Sequence, residues 1–290
     1  MIQNIGVIGA GQMGSGIAHV CVLAGYKVFL NDISEKVLKK SISGIDRAIE
    51  KQVARNKLTA QEKEEALGRL QTSSTFEDFK DCDLIIEAVT EDEGLKKEIF
   101  QKLTPHLSSQ CLLATNTSSI SITALAGVTD RPDKFIGMHF MNPVPVLQLI
   151  EVIRGITTSN TTFHSIQDVI KRLGKQSIVS EDYPGFIMNR ILMPMINEAT
   201  YAVFEGVGSI EAIDKGMRLG ANHPMGPLEL ADLIGLDTCA SIMEVLYKGL
   251  GQSKYKPCPL LIKYVEAGWL GCKTNRGFYD YKGEQPVPTR

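Results

Sequence analysis

Apolar residues open the chain in a strand-like run. Residues 2–9, IQNIGVIG, alternate loosely and end in glycine, the pattern of a buried strand. SGIAHVCVLAG (15–25) repeats its apolar positions at helical spacing and closes on Gly25. KVFLND (27–32) is a second strand. The order is β-α-β, a unit that is nearly always parallel and right-handed.

The next stretch, 34–70, is long, polar and helical in period. A normal connection between strands is much shorter. Ile42, Ile45, Ile49 and Val53 fall on one apolar face, while Arg47, Lys51 and Arg55 recur every four residues on another. The spacing predicts a helical hairpin inserted into the sheet connection, turning at 58–60. Strands resume at 82–89, 111–116, 134–140 and 147–153, and a helix with a strand after it covers 162–179. SEDYPGF (180–186) reads as a linker. Beyond it the pattern is all helical, over 187–205, 210–219, 227–250 and 259–267. The predicted architecture is an α/β Rossmann-type domain over 1–183, with a helical arm at about 34–70, followed by an all-α domain over 184–290. No internal repeat or low-complexity segment interrupts it.

Length and composition agree with two domains, since 290 residues exceed what one core usually fills. Hydrophobic residues make up 43% and charged residues 22%, ordinary for a soluble globular chain. The net charge of −2 gives no global pull toward nucleic acid or an anionic membrane. A local basic patch can still serve an anionic ligand. Cys21, Cys82, Cys111, Cys239, Cys258 and Cys272 form no C-x-x-C pair, so neither a metal site nor a redox motif is indicated. Their scatter fits a reducing compartment. The chain enters its first strand without a leader pattern, and no apolar run is long enough to span a bilayer. The expectation is a cytoplasmic protein, although a mature organellar form with its leader removed would look the same.

The first turn after a strand is GAGQMG, with Gly9, Gly11 and Gly14 in G-x-G-x-x-G and Gln12 and Met13 between the last two. The first glycine permits the tight turn, the second lets a pyrophosphate approach the backbone, and the third lets helix and strand pack closely. The following helix offers free N–H groups and a positive dipole end to phosphates. Asp32 ends the second strand at the ~20-residue distance expected for a carboxylate that bonds ribose hydroxyls. An acid there repels a 2′-phosphate, so NAD is expected rather than NADP. The plainer role for Asp32 is a helix cap, for which Ser34 competes.

GMHFMNPVPVLQLIEVI (137–153) holds His139 near the end of one apolar run and Glu151 inside the next. In open α/β sheets, ligands bind at the carboxyl ends of strands, and His139 lies at such an end. Moving a hydride from an alcohol to NAD also needs an acceptor for the hydroxyl proton, and histidine is the usual choice. A buried Glu151 is expensive unless paired; accepting the imidazole N–H would orient the ring and stabilise its cation. The bland alternative is a structural histidine with a solvated strand-edge glutamate. TNTSSIS (115–121) follows another strand, so Asn116 and its neighbouring hydroxyls suit a nicotinamide amide or a substrate carbonyl. A helix cap at Ser118 or Ser119 explains them equally well. Asn142 before Pro143 reads as a turn, and Asn189 and Arg190 open the second domain on the side of the expected interdomain cleft. His19, His106, His164 and His223 lie in or near helices and read as structural.

Taken together these motifs resemble one family. They are GAGQMGSGIA with Asp32, NTSS ahead of His139, HFMNPVP with Glu151, DYPGFIMNR, and HPMGPLELADLIGLD with GWLGCKTNRGFYDY. The chain resembles, over essentially its whole length, the short single-function L-3-hydroxyacyl-CoA dehydrogenases, especially their bacterial 3-hydroxybutyryl-CoA branch. The resemblance implies that His139 is the base and Glu151 its partner, and that Ser118 and Asn189 contact the substrate's 3-oxygen. It implies cofactor contacts at Glu91, Lys96, Asn142 and Lys273, beside Gly9, Gly11, Gln12, Met13, Gly14, Asp32, Asn116 and Ser118. The arm matches one that grips coenzyme A, with Lys51 and Arg55 toward its phosphates, although a solvated helix face is the plainer account of such a stripe. The second domain resembles the family's dimerisation domain, so a homodimer acting on an acyl-CoA is expected. Two rivals remain: a dehydrogenase of a 3-hydroxy acid without coenzyme A, and a non-catalytic NAD-binding protein of the lens-crystallin kind.

Overall fold

The computed structural model describes residues 2–290. The chain divides into two compact units, Met1–Tyr183 and Pro184–Arg290. In the first unit the elements run β1 (Asn4–Ile8), α1 (Gln12–Leu23), β2 (Lys27–Asn31), α2 (Glu35–Ala54), α3 (Ala60–Gly68), β3 (Leu70–Ser73), β4 (Leu84–Glu87), α4 (Glu93–Leu103), β5 (Leu112–Thr115), α5 (Ile122–Ala126), β6 (Phe135–Phe140), β7 (Leu149–Arg154), α6 (Asn160–Arg172) and β8 (Gln176–Glu181). They build one eight-stranded sheet in the order β3-β2-β1-β4-β5-β6-β7-β8. The central strands read as continuous apolar runs because helices cover both faces; Ile5, Val7, Leu84, Ile86, Leu113 and Ile136 are fully buried. The order reverses between β1 and β4, the switch point at which such sheets open a crevice for a dinucleotide.

One strand of this sheet is absent from the sequence reading. β3, LQTS, is a strand that the polar pattern of 70–73 concealed, and it pairs in parallel with β2 from Val28↔Leu70 to Asn31↔Ser73. Only its last residue is buried, as expected at a sheet edge, so the arm ends at Gly68 rather than Leu70. β7 runs antiparallel to β6, which brings Glu151 directly opposite His139.

The arm is a hairpin of α2 and α3. Ser34 caps α2 by accepting from Val37 N–H, and Thr59 with Glu62 forms a reciprocal capping box that starts α3. Lys63 closes the hairpin on Asp46 and Glu50 at 2.8 and 2.6 Å. The buried face of α2 is Leu38, Ser41, Ile45 and Ile49. Ile42, expected on that face, is instead 37% exposed, and Val53 is only half-buried.

The second unit holds α7 (Met188–Phe204), α8 (Ile210–Gly220), α9 (Pro227–Ile234), α10 (Leu236–Leu250) and α11 (Pro259–Glu266), then a two-stranded ribbon of β9 (Tyr279–Asp280) and β10 (Val287–Pro288). The ribbon amends the all-helical expectation. The single helix expected over 227–250 is broken at Gly235, whose φ of 104° no helix accommodates. Two buried acids organise this unit. Asp214 accepts from Leu228 N–H, Glu229 N–H and the Tyr279 hydroxyl; Asp232 accepts from Phe278 N–H, Tyr279 N–H and the Tyr281 hydroxyl. Among the described residues, no helix is long and apolar enough to cross a membrane.

Candidate active site

The phosphate loop leaves β1 and enters α1. Gly9 has φ +94°, and a side chain there would meet the Ala88 carbonyl at 2.7 Å. A side chain on Gly14 would collide with the Gly9 carbonyl, whereas one on Gly11 would point into open space. Gly9 and Gly14 are therefore required by packing, and Gly11 leaves room above the loop. Gly11 is also the N-cap of α1 and has no side chain to cap it, so the first-turn N–H groups face that room. This donor set fits a diphosphate. Asp32 ties the loop to β2: its carboxylate accepts from Ala10 N–H and from Ser34 N–H, each at 2.9 Å. Ser34, not Asp32, caps α2. Gln12 donates to the Asn142 side chain at 3.1 Å, and Met13 is half-buried on α1. Gln12, Ser15, His19, Lys40, Ser41 and Asn142 edge a cavity of about 430 Å³ beside this loop.

The carboxyl ends of β4 and β5 carry a second cluster. Glu87, fully buried at the end of β4, accepts from Lys96 Nζ at 2.5 Å, Val89 N–H at 2.7 Å and Thr115 Oγ1 at 2.6 Å. Lys96, on α4 and 1% exposed, also donates to the Val89 carbonyl at 3.3 Å and lies 3.4 Å from Glu91 Oε2. It thus makes two hydrogen bonds and one longer ion pair. Glu91 Oε1 gathers the hydroxyls of Thr117, Ser118 and Ser119 and the backbone N–H of Ser118 and Ser119, all at 2.5–3.2 Å. Burial alone pushes the Glu91 carboxyl up; Lys96 and these donors more than offset it and hold it below the ordinary carboxylate range. The cap expected at Ser118 or Ser119 is Ser121, which accepts from Ala124 N–H, while Asp182 takes Ser121 Oγ and the N–H of Ile122 and Thr123. The side-chain oxygen of Asn116 accepts from Phe140 N–H at 2.9 Å, joining the ends of β5 and β6.

His139 and Glu151 form the third cluster. They are register partners on the antiparallel pair β6–β7, and His139 Nδ1 lies 3.0 Å from Glu151 Oε2. Glu151 is 0% exposed and His139 8%. Because β7 runs backwards, Glu151 sits near its start, at the same end of the sheet as the carboxyl ends of β1, β4, β5 and β6. With Glu151 ionised, Nδ1 carries the proton and donates it, which sets Nε2 as the basic nitrogen.

The remaining sites are spread wider. Lys51 and Arg55 are exposed at the end of α2, and no carboxylate among the described residues lies within ion-pair distance of either. Asn189 is buried in the first turn of α7, in the second unit. Lys273 is ion-paired with Asp237, also in the second unit. Sequence reasoning missed Glu87 and Asp182; the hydroxyls of Thr115 and Thr117, expected to meet a ligand, instead bond Glu87 and Glu91. Glu87 carries the same signal as Glu151, a lone carboxylate inside the apolar run LIIEAV.

Residues 4–183 match the NAD binding domain of 3-hydroxyacyl-CoA dehydrogenase, and residues 185–281 match its C-terminal domain. The chain belongs to the 3-hydroxyacyl-CoA dehydrogenase family. It is 58% identical over 290 residues to a 3-hydroxybutyryl-CoA dehydrogenase of Bradyrhizobium diazoefficiens, covering 100% of this chain and 99% of that one. It is 50% identical over 281 residues to a probable 3-hydroxybutyryl-CoA dehydrogenase of Bacillus subtilis, covering 97% and 98%. Its structure superposes with a TM-score of 0.95 on (S)-3-hydroxybutyryl-CoA dehydrogenase of Ralstonia eutropha, at 47% identity, covering 98% and 100%.

Proposed function

We propose that this chain is an NAD-dependent dehydrogenase that interconverts (S)-3-hydroxybutyryl-CoA and acetoacetyl-CoA. The observation that carries the reading is the buried His139–Glu151 pair, at the same end of the sheet as the glycine loop. When bound, NAD supplies the acceptor for the carbon-3 hydrogen with its electron pair. His139 Nε2 removes the hydroxyl proton. Glu151 holds the ring through Nδ1 and stabilises the imidazolium that forms. Ser118 and Asn189 hold the reacting oxygen. Asp32 takes the adenosine ribose and so selects against a 2′-phosphate; each carboxylate oxygen has accepted one N–H and keeps lone-pair capacity. Gly9, Gly11, Gln12, Met13 and Gly14 form the diphosphate cradle, and Glu91, Asn116, Ser118, Asn142 and Lys273 are further cofactor contacts. Lys96, taken as a cofactor contact, also steadies Glu91 through its ion pair at 3.4 Å. Lys51 and Arg55, exposed and with no carboxylate partner among the described residues, meet the phosphates of coenzyme A.

The reading extends to a cytoplasmic homodimer joined through the second unit. That unit exposes Ile191, Phe204, Val207, Leu219 and Leu233 at 52–77%, apolar side chains that a second copy would cover. Light scattering at twice the chain mass is the expected result.

The deciding assay follows oxidation of NADH and NADPH by the purified protein with acetoacetyl-CoA and with free acetoacetate. Fast turnover is expected only with NADH and the thioester. No turnover with any pair, while NADH still binds, would make this a binding protein. Turnover of free acetoacetate at the thioester's rate would remove Lys51 and Arg55 from substrate recognition.

A further inference from the structure

The buried acid Glu87 belongs to none of the roles above, yet it lies under the loop that carries Ser118. Its carboxylate makes three bonds of 2.5–2.7 Å, to Lys96, Val89 and Thr115. Each partner leads to the same place. Lys96 reaches Glu91 Oε2 at 3.4 Å, and the other oxygen of Glu91 binds Thr117, Ser118 and Ser119. Thr115 Oγ1 gives its proton to Glu87 and accepts from Thr117 N–H at 3.2 Å. Thr117, fully buried, donates to Glu91 and accepts from the N–H of Ser119 and Ile120. Two routes, one through Lys96 and one through Thr115, therefore run from Glu87 to residues 117–120.

A buried carboxylate is costly unless paired, and an apolar residue would serve the core of β4 as well. What the acid adds is a fixed anchor: it sets where the Lys96 ammonium stands, and the ammonium sets where Glu91 stands. We propose that Glu87 is a positioning residue for the reaction, acting through Lys96 and Glu91, and in parallel through Thr115, to hold the Ser118 hydroxyl in register with His139 at the neighbouring strand end. The inference rests on the proposed role of Ser118, but its geometric half does not.

The test is Glu87→Gln, which keeps shape and removes the charge, compared with Ser118→Ala and with the double variant. Groups that orient metal ligands typically change activity by about 10–100-fold, and a group that orients Ser118 is expected to act on the same scale. The expectation is a fall of that order in kcat for Glu87→Gln, with KM for acetoacetyl-CoA changed less than about threefold, because the thioester is held elsewhere. Combined with Ser118→Ala, the loss should be no larger than for Ser118→Ala alone, since both variants remove one function. Independently of activity, amide hydrogen exchange at Ser118 and Ser119 should speed by about tenfold or more in Glu87→Gln, with β7 and the second unit unchanged. Restored protection and kcat in Glu87→Asp would support the anchor. Additive losses with Ser118→Ala, or unchanged exchange at 118 and 119, would overturn it. If the wild type reduces no thioester but exchange behaves as expected, the function reading fails and the anchor stands. Should Glu87→Gln not fold, the paired Glu87→Met, Lys96→Met variant removes both charges together and reads the same quantities. If that also fails to fold, Glu87 is a folding requirement and the proposal is wrong.

Discussion

Glu151 in the first unit and Asp214 in the second are both carboxylates at 0% exposure, and they do different work. Asp214 is answered by two backbone N–H groups at the start of α9 and by the Tyr279 hydroxyl, donors that neither gain nor lose a proton near neutral pH. Its neighbour Gly226 has no side chain because the Asp214 carboxylate fills that space. This is a helix cap taken from a distant position. Glu151 is answered by an imidazole, a group that changes charge in the physiological range. Burial alone therefore does not mark chemistry. The identity of the partner does, and so does position: Glu151 lies at the ligand-binding end of the sheet.

The comparison predicts that removing His139 costs function and spares the fold. His139→Ala should lower kcat by ~10²–10⁴, the usual worth of a general base, with NADH affinity by fluorescence titration nearly unchanged. A variant that kept full turnover would remove His139 from the mechanism. Asp214→Ala should do the converse. It strands one buried and one part-buried N–H group and a buried hydroxyl, each worth about 1–3 kcal/mol, so the unfolding transition should lose about 3 kcal/mol or more. The single tryptophan, Trp269, reports that transition within the second unit. The turnover of the folded fraction should stay within about twofold, because Asp214 makes no contact with reacting groups in this reading. Glu151→Gln falls between them: the amide can still accept from Nδ1 but no longer stabilises the imidazolium. Oxidation of 3-hydroxybutyryl-CoA should slow by about 10–100-fold without loss of the fold. If Glu151→Gln unfolds the first unit instead, the two acids are more alike than their partners suggest.

Position along the chain was legible where period and punctuation agreed. The strands around Gly9, Asp32 and His139 were readable because their apolar runs end at glycine, acid or proline. The arm was readable because helical spacing persisted too long for an ordinary crossover. β3 was not, since an edge strand with a single buried residue carries no apolar period. The break at Gly235 was hidden because α9 and α10 share one apolar rhythm across it. In the site, the His139–Glu151 spacing suggested a pair, but only the antiparallel turn of β7 makes them opposite. The Glu87–Lys96–Glu91 cluster was not legible as a unit. Its members come from β4, the turn after it and α4, and only the tertiary fold aims them at residues 117–119.

The finest discriminator between the two units is acid. Burial lowers the His19 imidazole in the first unit from 6.5 to about 4. Between those values the unfolded chain binds a proton that the folded chain refuses. Stability from neutral His19 is thus fully present above 6.5 and lost as pH falls through about 4. Asp232 in the second unit goes the other way: burial raises it from 3.8 to about 6, with the charge of Asp214 adding and the donors of Tyr279, Phe278 and Tyr281 opposing. Its contribution is fully present below 3.8 and lost as pH rises through about 6. Across pH 4 to 6 the first unit should therefore gain stability with pH while the second loses it, each slope at most about 1.4 kcal/mol per pH unit for one proton. Urea titrations across this range, read by Trp269 for the second unit and by hydrogen exchange in β1 and α1 for the first, separate the two. His19→Gln should flatten the first slope and leave the second; Asp232→Asn should do the reverse. If the Trp269 transition instead strengthens from pH 4 to 6, the three donors on Asp232 outweigh its burial, and both units share one acid response.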